Sequence, residues 1–246
     1  MNDKDILNNL FNRLNEIMKN EGIQHISEIK FDNKHPLTFF SEITDNSISI
    51  KKPPLFLYDD FFFLSNDLLH FTLLLFLLRP FINDPVKENG TYFQNRYDAR
   101  YLSYSSVLYS TVYNFWDRIG DLINCFFNTG LPENSVYIGR VISNFPKDCR
   151  DSKYFQQLEE IYMNKIRHLI LERNEDTHNQ SIVTGHYFNI ILAKDEEQVE
   201  KAKLKFNLPE IFKEQIELAY NGFELALLLI KEKRGNPGTA KQEAQV

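Results

Sequence analysis

A chain of 246 residues with 43% hydrophobic and 25% charged residues can bury a substantial core and has an ordinary globular balance. Its net charge of -6 excludes a uniformly basic nucleic-acid binder, although the field in a cleft is set by the charges nearest to it. The only cysteines, Cys125 and Cys149, make neither a disulfide framework nor a metal-ligand spacing, which fits a reducing cytoplasm, and with no P-loop, GxGxxG, CxxC pair or HExxH in the sequence neither metal nor cofactor is expected.

Along the chain, Ile6, Leu7, Leu10, Phe11, Leu14, Ile17 and Met18 recur at helical spacing, which predicts a helix over residues 5–20 that stops at Gly22. The opening residues are too charged for a signal peptide. From His25 to Leu57 the stretches ISEIKF and SISI alternate, and Pro36, Pro53 and Pro54 interrupt, so a small hairpin or irregular arm is expected. Residues 58–79 read as a buried helix ending at Pro80. Their most apolar run, 68–78, is too short to cross a bilayer, and no membrane partner is expected.

After a polar loop, four helical patterns follow, at about 96–129, 151–172, 177–193 and 209–233, with Pro209 suited to a first turn and Gly235 to an end. The expected fold is all-α: an up-and-down four-helix bundle over 95–234. An N-terminal, mainly helical extension over 1–94 precedes it, and residues 235–246 form a disordered tail.

The chemistry concentrates in LERNEDTHNQ, residues 171–180, where Arg173, Asn174 and His178 form R-N-x-x-x-H between the second and third expected helices. With 10 Arg and 6 His in the chain, a bare R-x(4–6)-H arises by chance roughly 0.7 times, but the adjoining Asn lowers that to roughly 0.07. Here the sequence resembles the HEPN superfamily, whose catalytic members carry R-x(4–6)-H, often with a polar residue after the Arg. The segment YNFWDRIGDLINCFFNTGL, residues 113–131, is similar to the first long helix of several bacterial HEPN families. The likeness covers roughly residues 95–233.

The resemblance implies a metal-independent endoribonuclease, acting as a homodimer with two motifs at one cleft, in a toxin, phage-defence or stress-response setting. Such a protein would take RNA as its substrate and an antitoxin or other regulatory protein as a partner. His178 can titrate near neutral pH and so serve as base or acid. Arg173 stays charged and can hold phosphate oxygens through its planar fork, while Asn174 can bond the phosphate or orient the histidine. On one continuous helix, residues five apart point about 140° away from each other, so convergence requires a helix break near residue 173 or a second subunit.

Asp117 and Asp121 are candidates to hold the arginine or tune the histidine. Read the other way, they are the solvated side of an amphipathic helix, and the motif is a polar linker whose Glu175 and Asp176 favour the next helix. A HEPN-like module that binds RNA, nucleotide or protein without cleavage is the rival reading. His186 reads as a core histidine, His168 as a surface one, and Phe61, Phe62 and Phe63 as core; His25 and His35 show no partner in the sequence.

Overall fold

The computed structural model describes residues 2–54, 56–83, 95–171 and 203–235. Among these residues every named element is helical and no strand is formed. Seven α-helices are described: α1 (Asp3–Glu21), α2 (Pro36–Asn46), α3 (Leu57–Leu78), α4 (Arg96–Phe126), α5 (Ile138–Ser143), α6 (Lys153–Ile161) and α7 (Leu208–Arg234). The expected helix at 177–193 and the tail beyond residue 235 lie outside the described residues.

The chain divides into two compact units. One comprises Met1–Gln24, Asp67–Thr111 and Ile170–Ile216; the other comprises His25–Asn66, Val112–Leu169 and Glu217–Val246.

In the first unit, Phe71 of α3 meets Tyr104 of α4, and Tyr109 of α4 meets Phe212 of α7. Helix α1 ends where Gly22 takes a left-handed φ of 65°, its N–H bonding back to Lys19 and Met18. Asn95 and Asp98 open α4 with a reciprocal capping pair: Asn95 Oδ1 accepts from the Asp98 N–H at 2.9 Å, and Asp98 Oδ2 accepts from the Asn95 N–H at 3.0 Å.

In the second unit, Phe61 of α3 stacks on Phe223 of α7 at 4.0 Å and meets Phe115 of α4 edge-on at 5.2 Å. All three rings are fully buried. Gly222 lets α7 approach α4 closely, since a β-carbon there would lie 2.5 Å from the Trp116 ring. Helix α3 with the turn after it, Leu57–Phe81, is long and apolar enough by composition to span a bilayer. Its Phe61, Leu68 and Leu75 are instead fully buried among protein side chains.

Of the two alternatives expected between residues 25 and 57, a small hairpin or an irregular arm, the hairpin does not form. Residues 36–46 are helix α2, with Pro36 in its first turn and His35 Nδ1 accepting from the Leu37 N–H. What exists of a hairpin is one bridge, Phe31 with Lys34, closed by Asp32 and Asn33 at φ 47° and 64°. The alternating SISI stretch is extended for another reason. Its backbone covers helix ends: Ile48 N–H donates to Arg234 O, and the Ile50 and Lys51 N–H groups donate to Cys125 O, at 2.8–2.9 Å. The Ile48 and Ile50 side chains point outward, 62% and 52% exposed.

Candidate functional site

The polar positions of α4 divide between core and surface. Asn114, and Asn128 just beyond the helix end, are exposed, whereas Asp117 is buried. The Asp117 carboxylate accepts the Ile138 N–H at 3.3 Å and a hydrogen bond from Tyr113. Burial raises its pKa to about 6, against the pull of those two hydrogen bonds. Asp121, one turn on, is half-buried and pairs with Arg118 at 3.1 Å, and Arg118 also lies 3.7 Å from Asp60. Burial is again the leading cause of its raised pKa, with Arg118 opposing.

Two further side chains join Asp117. Helix α6 passes into a π-helical turn, Tyr162–Ile166, and continues to residue 171. The turn absorbs one extra residue. Leu158 and Ile166 stand eight apart, where two α turns take about 7.2 residues, and both are still fully buried. Tyr162 lies against α5, its hydroxyl over Gly139 where a β-carbon would clash. Burial raises the Tyr162 pKa, Arg167 opposes, and Asp117 adds to the rise. Arg167 and His168 themselves are exposed. Asp117 thus anchors the start of α5 and accepts from Tyr113, while Tyr162 feels both Asp117 and Arg167.

Arg173, Asn174 and His178, together with His186, lie outside the described residues. Tyr113 and Tyr162 were not legible as site neighbours: Tyr162 sits in the apolar stripe of its helix, and only the π turn marks it. His25 has partners the sequence did not show. Its Nε2 meets Asn66 Oδ1 at 2.5 Å, its Nδ1 meets Ser27 Oγ at 2.6 Å, and Phe62 packs edge-on against the ring. The Ser27 N–H also closes on Nδ1, so this histidine organises a turn. Of the three phenylalanines expected in the core, Phe61 is there, Phe62 is half-buried and Phe63 is 65% exposed.

The described residues form an all-α fold with one buried acid, Asp117, in the YNFWDRIGD stretch of its longest helix, and comparison with known families gives the class. The family model of the Cthe2314-like HEPN domain matches residues 82–231. The chain belongs to this HEPN family, within the nuclease- and RNA-related HEPN superfamily. No curated protein and no solved structure matches it.

Proposed function

We propose that this HEPN protein is a metal-independent endoribonuclease in which His178 acts as general acid or base and Arg173 stabilises the scissile phosphate. The observation that carries the reading is that R-N-x-x-x-H, residues 173–178, falls within the span matched by the HEPN family model. The RNA 2′-hydroxyl oxygen attacks the adjacent phosphorus while a base takes its proton. The 5′-oxygen then leaves with a proton from an acid, and the upstream fragment keeps a 2′,3′-cyclic phosphate. A histidine can move either proton near neutral pH, and an arginine can neutralise charge on the phosphorane. Asn174 orients the phosphate or the imidazole. Asp117, buried and carrying a raised pKa, supports the motif from α4 as a positioning residue, with Asp121 beside it. The working form is a homodimer in the cytoplasm with the two motifs at one cleft, held in check by an antitoxin or other regulator in a toxin, phage-defence or stress-response setting.

The test is incubation of purified protein with single-stranded and loop RNA in EDTA. Cleavage giving 2′,3′-cyclic phosphate ends is expected, and His178→Ala should slow it by roughly 10²- to 10⁴-fold. Arg173→Ala should be similarly impaired and Asn174→Ala milder. Equal cleavage by wild type and the double variant would trace the activity to a contaminant. Absence of cleavage across varied RNAs would leave a binding module.

A further inference from the structure

The turn that follows α3, Arg79–Phe81, ends in a phenylalanine that is 48% exposed. Its ring lies 5.3 Å from that of Tyr97, tilted by 34°. On Tyr97 sits a cation: the Arg96 guanidinium is 4.9 Å from the ring centroid, and its Nη2 donates to the Tyr97 hydroxyl at 3.0 Å. Arg100, one turn further along the same face of α4, is exposed as well.

Beneath this surface the backbone is fixed. Asn95 Nδ2 donates to Phe81 O at 2.9 Å, and Asn95 Oδ1 accepts from the Tyr97 N–H at 2.7 Å, so one side chain pins both ring-bearing residues. The Asp98 carboxylate accepts from the Asn83 and Asn95 N–H groups, and Lys205 neutralises it at 3.1 Å. Among the described residues, Asp98 beneath the rings is therefore buried and paired, and Glu210 of α7 is taken by Arg79. The Phe81 ring and the Arg96 side chain face outward on a hydrogen-bonded base.

We propose that Phe81, Tyr97 and Arg96 form a stacking platform for the unpaired bases of single-stranded RNA. The inference rests on the ribonuclease reading for its choice of nucleic acid. Every base presents a π-face, and a pre-positioned aromatic ring accepts one with little loss of side-chain freedom. Arginine adds a planar cation that stacks on bases and pairs with phosphates, and Arg100 extends the phosphate contact along α4. A duplex buries its base faces within its own stack and cannot use such a surface.

The experiment is fluorescence anisotropy of the full-length protein with a labelled 2′-O-methyl 12-mer, which lacks the nucleophilic hydroxyl and stays uncut. The oligonucleotide is used single-stranded and as a duplex, and cleavage of ordinary RNA is measured in parallel. Wild type should bind the single strand more tightly than the duplex. Phe81→Ala and Arg96→Ala should each weaken single-strand binding about tenfold, and Phe81→Trp should retain it. Unchanged melting temperatures will show that the variants are folded. Wild-type affinity in both alanine variants, with cleavage intact, would overturn the platform and leave the ribonuclease reading standing. Platform-dependent binding without cleavage by any form would sink the ribonuclease reading and keep the platform. Preference for the duplex, or no binding of the single strand, would overturn the platform outright.

Discussion

The Lys205 ammonium donates to Asp98 Oδ1 at 3.1 Å, and the two side chains are only 2% and 1% exposed. Neighbours hold the pair in place: Lys205 also reaches Asn83 O at 2.6 Å, and Tyr101 donates its hydroxyl proton to Lys205 O. Removing one partner strands a buried charge, which costs about 3–5 kcal/mol in comparable pairs, while replacing both by apolar residues costs far less. Lys205→Met should therefore lower the unfolding free energy by about that amount in urea titrations. Asp98→Asn in the Lys205→Met background removes the stranded charge but keeps an oxygen for the Asn83 and Asn95 N–H groups, and should recover much of the loss. Simple additivity of the two losses would show that the charges do not act as a pair.

Asp117 makes stability depend on pH in a direction opposite to that of a salt-bridged acid. Its folded pKa, about 6, lies above the ordinary value of 3.8, so the folded state binds the proton more tightly than the unfolded chain. The resulting stabilisation is complete below pH 3.8 and is lost as the pH rises through about 6. Asp117→Asn keeps an oxygen for the Ile138 N–H and carries no charge. It should melt higher than wild type at pH 8, with the gap closing towards pH 4. A gap independent of pH would show that the carboxylate is not the titrating group.

Gly222 sets two effects against each other. Alanine is favoured over glycine inside a helix by roughly 1 kcal/mol. A β-carbon at 222 would, however, press on the buried Trp116 ring, and overpacking costs typically about 1–3 kcal/mol. The steric term should win, so Gly222→Ala should lower the melting temperature. In a Trp116→Leu background, where the ring is gone, the same change should be neutral or stabilising. Destabilisation of equal size in both backgrounds would refute the contact.

The dimeric cleft can be tested by complementation. If Arg173 of one subunit works with His178 of the other, Arg173→Ala and His178→Ala proteins, each inactive alone, should regain RNA cleavage when mixed and allowed to exchange. One intact site forms in each mixed dimer. Light scattering that shows a strict monomer at high micromolar concentration, or a mixture that stays inactive, would sink the shared cleft.

Helix periodicity made most of the fold legible. The apolar faces of residues 5–20, 58–79, 96–129 and 209–233 reappear as α1, α3, α4 and α7 with ends shifted by a few residues. The SISI alternation misled for a physical reason: an extended segment needs backbone partners, and the C-terminal carbonyls of helices serve as well as a second strand. Spacing placed Asp117 on the polar side of its helix but did not show its burial, since 3.6-residue periodicity places a residue on a face without saying what covers it. Phe81 and Tyr97 passed unnoticed because they stand far apart in sequence, and it is hydrogen bonds of Asn95 that tie their backbones together.

The backbone segment 48–51 ties the last turn of α4 to the last turn of α7 through Cys125 O and Arg234 O. These two helix ends therefore cannot fray one at a time. An opening that frees one carbonyl peels back the strip that holds the other, so both ends belong to one cooperative unit of exchange. Three short contacts in a stretch with almost no buried side chains thereby give residues 48–51 the weight of a clasp.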